Sequence, residues 1–157
     1  MAVVEAKLRE MGIDVGIIDR KGRGVLRCRR YKNLLFISGH GPFGPDGKPL
    51  MQGRIGADLT PDDAYEAGRL CALNMLATLK DEIGDLDRID CFIKALGLVN
   101  SGGEFFGMPA VVNGFSDVFT GAFGARGRHA RAAMGCGNHD ANVPMVVDMI
   151  VKLRDCC

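Results

Sequence analysis

The chain has 157 residues, of which 47% are hydrophobic and 25% charged, and this predicts one domain, residues 1–157, with its own core. Lys and Arg number 20 and Asp and Glu number 19, so the net charge of +1 indicates neither a duplex nucleic acid nor an acidic membrane as partner. Aromatic residues make up only 6% and Trp is absent, which argues against a stacking platform for single-stranded RNA.

The N-terminus carries charges where a signal peptide needs an apolar block, and no run of eighteen apolar residues exists. We therefore expect a cytoplasmic protein without a membrane span. The six cysteines are scattered through apolar segments, and we interpret them as reduced thiols. Residues 154–157, with Cys156 and Cys157, are expected to form a frayed tail.

In chain order, apolar residues at helical spacing over residues 2–11 predict a short helix that stops near Gly12. Residues 25–30 and 33–38 are typical of two strands joined by a turn. A loop rich in Gly and Pro follows at residues 39–47, and a small extra strand is compatible with residues 52–55.

The clearest helix begins after Thr60, a favourable N-cap, with Pro61 at its first position and Gly84 as its stop. A long strand is predicted over residues 89–99. A second long helix opens at Pro109 and stops at Gly124. Residues 131–136 and 145–153 are typical of two closing strands.

The order β-β-α-β-α-β-β predicts an α+β fold with a mixed sheet and two helices on one face. The other face of the sheet is then left without cover. Alternation along the long strand predicts that Phe92, Leu96 and Leu98 lie on this open face. Packing against another subunit would bury it.

Three features could carry chemistry. The segment from Ser38 through Gly39 and His40 ends an apolar strand, and its backbone N–H groups could bind a carboxylate; the alternative is a simple strand-ending turn. Arg131 enters the penultimate strand and could grip an organic acid with its planar fork; the alternative is a solvated basic loop. Asn113 could donate to a ligand or bond locally within its helix.

No metal or nucleotide cofactor is indicated. Cys136 and His139 have a Cys-x-x-His spacing, but no second ligand pair stands at a zinc-like interval. Phosphate-loop and dinucleotide motifs are missing from the sequence. We expect His129 to be exposed or structural, since no Ser or carboxylate stands near it at nucleophile–base spacing.

Several segments together resemble the RidA (YjgF/YER057c/UK114) family, also called endoribonuclease L-PSP-like. The segment from Asn33 to Pro42 resembles the signature "GNLLFVSGQxP", and the segment from His129 to Ala133 resembles "xARSxV". The segment from Gly53 to Thr60 is similar to the longer-loop branch of the family. The resemblance covers most of the chain in the right order.

The resemblance implies a chorismate-mutase-like fold and a homotrimer with clefts between subunits. In active members a pocket Arg holds the carboxylate of a 2-imino acid, water attacks the imine carbon and ammonia leaves. Carried over to this sequence, Arg131 would bind the carboxylate, while the loop of Ser38, Gly39 and His40 and the side chain of Asn113 would line the pocket.

This sequence departs from the family at the last strand, where Val146 and Asp148 stand at the positions of two glutamates, the first of which lies near the attacking water. A pocket tyrosine is also absent, since Gly24 is followed by Val25 and Leu26. His139 or Asp140 could replace the missing acid–base group.

Three hypotheses follow. The first is a hydrolytic deaminase of 2-imino and enamine acids. The alternative is a trimeric module that binds small carboxylates without turnover, which Val146 favours. A weaker alternative is the endoribonuclease activity of the family's name, for which the sequence offers no paired acid and base.

Overall fold

Five strands form one mixed sheet in the computed structural model, which describes residues 3–14 and 24–154. The sheet order is β1-β2-β5-β3-β4, in which only β3 and β4 are parallel neighbours. The strands are β1 (Cys28–Tyr31), β2 (Leu34–His40), β3 (Ile89–Asn100), β4 (Ala130–Cys136) and β5 (Met145–Leu153).

Three α-helices accompany the sheet: α1 (Val3–Glu10), α2 (Pro61–Ile83) and α3 (Met108–Phe123). The predicted ends of α2 are confirmed. The Thr60 hydroxyl accepts from the Asp63 N–H, and the Asp63 carboxylate accepts from the Thr60 N–H, which together form a capping box. Gly84, at a φ of 75°, ends the helix where the sequence predicts its stop.

The helices α2 and α3 cover one face of the sheet and touch each other through glycines. A Cβ on Gly114 would lie 1.9 Å from the Tyr65 carbonyl oxygen, and one on Gly68 would lie 2.9 Å from the Phe115 nitrogen. The two helix backbones can therefore approach closely only because these positions lack side chains. This contact fixes where α3 stands above β3 and β4.

The opposite face of the sheet has no helix over it among the described residues. Leu96 and Leu98 lie there, half-buried, as predicted, because they alternate with the buried residues Ala95, Gly97 and Val99. On the neighbouring strands this face continues with Phe36, which is 43% exposed, and Met134, which is 54% exposed. The face is therefore broad and mostly apolar, with Asp148 of β5 as a charged member.

The prediction that Phe92 lies on the open face is wrong. Its side chain is 3% exposed and packs edge-on against Phe119 and Phe123 of α3. The pairing of β3 with β5 shifts register twice, between Ile89 and Cys91 and between Phe92 and Lys94. Each shift breaks the simple alternation that the sequence suggests, so Phe92 turns to the helix side.

Smaller differences concern the strand near residues 52–55 and the chain ends. The small strand predicted at residues 52–55 does not form, and only isolated bridges link Ile55 to Leu59 and to Ser101. The tail expected at residues 154–157 lies outside the described residues except for Arg154, and so does residue 2 of the predicted first helix. None of the helices in residues 3–14 and 24–154 has the length and hydropathy needed to cross a membrane.

Candidate functional site

The guanidinium of Arg131 is held against α3 by three hydrogen bonds. Its Nη1 donates to the Ser116 hydroxyl at 2.9 Å, and its Nη2 donates to the Pro109 carbonyl and to Asn113 Oδ1, each at 3.0 Å. Arg131 pairs with the buried Ala95 of β3, so its side chain leaves the sheet on the helix side. These bonds use three of the five guanidinium donors and fix the plane of the fork, leaving donors for an anion.

Asn113 lies beside Arg131, where the sequence predicts a shared site. Pro109, Asn113 and Ser116 are spaced four and three residues apart, which places them on one face of α3. That face of α3 lies against the start of β4, where Arg131 is the second residue. The structure therefore brings together two of the predicted site residues, Arg131 and Asn113, within hydrogen-bond distance.

Ser116 and His129 form a hydrogen-bonded pair that the sequence did not suggest. The His129 Nε2 lies 3.0 Å from the Ser116 hydroxyl, and its Nδ1 lies 2.8 Å from the Gly127 carbonyl oxygen. A carbonyl only accepts, so Nδ1 carries the hydrogen, and Nε2 of the neutral ring accepts from Ser116. The expectation that no serine stands near His129 is therefore wrong.

The surroundings of His129 favour its neutral form. Burial lowers the pKa of the ring below its usual 6.5, the bond to the Gly127 carbonyl acts in the opposite sense, and the charge of Arg131 lowers it further. Because the pKa falls, His129 stays an imidazole at neutral pH. It can accept a proton there.

A surface depression opens next to these residues. Its volume is about 360 Å³, and its lining consists of Ser116, Thr120, Arg128, His129 and Arg131. Two of these five residues are guanidinium cations and none is a carboxylate. The depression therefore favours an anionic small molecule.

Ser38 and Gly39 lie elsewhere in the same protomer. Ile37, Met149, Ala95 and Arg131 follow one another across four adjacent strands. With neighbouring strands about 4.8 Å apart, β2 and β4 are separated by roughly 14 Å. The Ser38 hydroxyl donates to the Leu26 carbonyl at 2.6 Å. Gly39 and His40, predicted to begin a loop, instead end strand β2 beyond a register shift, and one protomer does not bring this segment to Arg131.

His40 is directed into the layer between sheet and helices. Its Nδ1 lies 2.6 Å from the Ser38 carbonyl, its Nε2 lies 2.7 Å from the Thr78 hydroxyl of α2, and the residue is 9% exposed. A ligand could reach the ring only after these bonds break. In the protomer, His40 ties the end of β2 to α2.

Val146 adjoins Gly39 on the open face of the sheet. A Cβ built on Gly39 would lie 2.6 Å from Val146 Cγ1. The valine therefore lies beside the Ser38–Gly39 segment that is predicted to bind substrate. Asp148 follows on the same face of β5, opposite Leu96, and desolvation by burial raises the pKa of its carboxyl.

His139 and Asp140, the predicted substitutes for an acid–base group, are both engaged in hydrogen bonds within the protomer. His139 Nε2 lies 3.0 Å from the Leu98 carbonyl and 3.1 Å from the Cys136 sulfur, and the Asp140 carboxylate accepts from the Ala141 N–H.

Within the described ranges, the group of three side chains whose ligand atoms lie close enough together to hold a metal ion is Glu5, Asp85 and Asp87. This group includes neither Cys136 nor His139.

Comparisons with known proteins agree with this architecture. Residues 31–153 match the model of a family described as "YjgF/chorismate_mutase-like, putative endoribonuclease". The protein TCP17 of Trypanosoma cruzi is 36% identical over 153 residues, which span 97% of this chain and 95% of TCP17.

Two crystal structures are similar over nearly their whole length. The protein Atu1372 of Agrobacterium tumefaciens, of unknown function, is 35% identical with a TM-score of 0.88, over 97% of this chain and 94% of that one. A Shewanella oneidensis protein described as "a putative endoribonuclease" is 29% identical with a TM-score of 0.90, over 96% of this chain and 99% of that one. The chain therefore belongs to the YjgF, or RidA-like, family and has its chorismate-mutase-like fold.

Proposed function

We propose that the protein is a hydrolytic deaminase of reactive 2-imino and enamine acids, with Arg131 as the group that binds the substrate carboxylate. The observation that carries the proposal is the fixed orientation of the Arg131 guanidinium beside a cationic depression. Both Nη2 hydrogens are engaged by α3, and the Nε–H and the second Nη1 hydrogen remain as donors for a carboxylate. Family membership adds the reaction that the sequence resemblance implies.

We propose further that the working site forms between subunits of a homotrimer. The Ser38–Gly39 segment of β2 lies about 14 Å from Arg131 across the sheet, far more than a four-carbon acid can span. The broad apolar face with Phe36, Leu98 and Met134 would be covered by a neighbouring copy. That copy would bring its own Ser38–Gly39 segment to the cleft.

The reaction needs a carboxylate anchor and a water molecule. Water adds to the carbon of the C=N bond, and the nitrogen takes up protons. The C–N bond then breaks, which releases ammonia and gives a 2-oxo acid as the product. Arg131 would hold the substrate so that the imine carbon meets the water at a fixed distance. Val146 can neither orient nor polarise that water, so we expect a modest rate.

Val146 also supports a second candidate function, a trimeric module that binds small carboxylates without turnover. Its methyl groups lie against Gly39, where the family places a glutamate. Binding of a carboxylate needs no group that moves protons, whereas hydrolysis of an imine does need one. The endoribonuclease activity in the names of relatives finds no support in the charge balance of +1.

Ammonia release from enzymatically generated 2-iminobutyrate separates the first two functions. We expect the purified protein to release ammonia faster than buffer, and Arg131→Ala to lose about 100-fold or more of that rate, since the carboxylate anchor is gone. Arg131→Lys should recover little, because an ammonium lacks the planar fork. Arg69→Ala is the matched control, because Arg69 lies on α2 and pairs with Glu66 at 3.0 Å.

Calorimetry with 2-oxobutyrate completes this experiment. Binding by wild type but not by Arg131→Ala, together with no ammonia release, would establish the binding module in place of the deaminase. Equal binding by wild type and Arg131→Ala would overturn both functions.

A further inference from the structure

We propose that Ser116 is a nucleophile activated by His129, and that this pair hydrolyses small, negatively charged esters bound in the depression beside Arg131. This activity goes beyond the proposed deaminase, because its nucleophile and base both belong to one protomer and no imine takes part. It rests on a hydrogen-bonded chain that runs from Gly127 through His129 to Ser116.

The hydrogen-bonded chain has the polarity that nucleophile activation requires. The Gly127 carbonyl accepts from His129 Nδ1 at 2.8 Å, which fixes the tautomer and the orientation of the ring. The other nitrogen then presents a lone pair to the Ser116 hydroxyl at 3.0 Å. Nucleophile, base and orienting group therefore stand in the order found in serine hydrolases, with a carbonyl in the place of a carboxylate.

The ring is also held from its sides. Phe115 and Phe119 present their rings nearly perpendicular to His129, with centroids 6.3 and 6.4 Å away. This packing limits rotation of the imidazole and keeps part of it away from water. The lowered pKa of His129, caused mainly by burial, keeps the base unprotonated at neutral pH.

Arg131 and Arg128 determine the class of substrate. Arg131 Nη1 donates to the Ser116 oxygen at 2.9 Å, so its positive charge stabilises the negative charge that this oxygen gains as its proton passes to His129. Arg128 adds a second cation to the lining. The volume of about 360 Å³ suits a small molecule. A short acyl ester with a free carboxylate meets these conditions.

The reaction balances without a cofactor. The Ser116 oxygen bonds to the ester carbon while its proton passes to His129 Nε2. The C–O bond to the alcohol breaks, and His129 returns the proton to the leaving oxygen. Water then attacks the acyl carbon and gives a proton to His129, the bond to Ser116 breaks, and Ser116 regains its proton. The products are one acid and one alcohol.

A fluorophosphonate probe and two 4-nitrophenyl esters test the proposal on the full chain. We expect the probe to modify Ser116, identified by peptide mass spectrometry, and the hemisuccinate ester to be hydrolysed faster than the neutral butyrate ester. Ser116→Ala should lose the label and at least about 100-fold of the esterase rate, and His129→Gln should lose a comparable factor. Ser101→Ala, in the loop after β3, is the control and should keep both.

Folding and the deaminase proposal are controlled separately. Circular dichroism must show that Ser116→Ala is folded; if it is not, labelling of wild type and of His129→Gln decides the matter. No label at Ser116 in the folded wild type, or equal ester hydrolysis by wild type and Ser116→Ala, would overturn the inference. Labelling needs no imine, so a protein that is labelled but releases no ammonia contradicts only the deaminase.

Discussion

At the scale of single residues, Val146 and His129 distinguish this protein from what its family resemblance implies. Val146 stands where the resemblance implies a glutamate, and it packs against Gly39. His129, which the sequence left without a role, is bonded to Ser116 and lies next to Arg131. With Val146, the open face of the sheet lacks an acid–base group at this position. His129 provides a base on the helix side.

Val146→Glu should raise the rate of imine hydrolysis. The new carboxylate would lie beside the Ser38–Gly39 segment and could orient the attacking water, a contribution of general-base catalysis worth about 10²-fold or more. Ammonia release from 2-iminobutyrate at saturating substrate measures it. Val146→Gln is the control, because glutamine has the size of glutamate but no charge. Equal rates for the two variants would show that a carboxylate at this position takes no part.

The lowered pKa of His129 predicts a pH-dependent stability. The unfolded chain binds a proton at His129 near pH 6.5, whereas the folded chain binds it only at lower pH. The folded state is therefore favoured most above pH 6.5 and loses this part of its stability as the pH falls toward the folded pKa. Urea unfolding between pH 8 and 5 should show a steeper loss in wild type than in His129→Gln. Parallel curves would contradict the burial of a neutral imidazole.

At the scale of elements, the position of α3 determines the geometry around Arg131. Three atoms on one face of this helix bond the guanidinium, and the Gly114 contact with the Tyr65 carbonyl sets the distance between α3 and α2. A change in helix packing would therefore move Ser116 and Asn113 together. The site depends on a contact between two backbones that lies on the other side of α3.

Gly114→Ala should destabilise the protein by about 1–3 kcal/mol, because the added methyl would lie 1.9 Å from the Tyr65 oxygen and force the helices apart. Gly121→Ala on the same helix is the matched control. A Cβ there meets only the flexible side chain of Met11, so alanine should raise stability by up to about 1 kcal/mol. Urea denaturation measures both variants. Equal effects would show that the Gly114 contact does not limit the spacing.

The sequence predicts most of the elements, because their signals are local. Thr60, Pro61 and Gly84 mark both ends of α2, since a cap, a proline and a glycine act within a few residues. The error at Phe92 arises because register shifts in β3 depend on its pairing with β5. Ser116 and His129 are thirteen residues apart, and only the path of α3 against β4 joins them. The spacing of Asn113 and Ser116, three residues apart on one helix face, is the local feature that could have placed Ser116 in the candidate site.

At the scale of the whole molecule, the open face of the sheet is the feature that a single chain leaves unexplained. Leu96 and Leu98 are half-buried there, and Phe36 and Met134 are more than one-third exposed. Apolar patches of this kind are costly in water and mark contact surfaces. A closed trimer would bury the face and would join the two distant halves of the candidate site.

Leu98→Glu should dissociate this assembly. The new charge would be buried in the interface without a partner, which disfavours association strongly. Light scattering should give three times the chain mass of 16.9 kDa for wild type and a smaller particle for the variant. Leu50→Glu, at an exposed leucine outside the strands, is the control. A wild-type particle of 16.9 kDa would contradict the trimer.

The central claim is that Arg131 binds an organic acid with help from a second copy of the chain. A crystal structure of the protein soaked with 2-oxobutyrate tests it most directly. The account predicts the carboxylate of the ligand within hydrogen-bond distance of the Arg131 guanidinium, and the Ser38–Gly39 segment of a neighbouring subunit against the same ligand. A ligand bound away from Arg131, or a guanidinium that faces bulk solvent in a monomer, would contradict it.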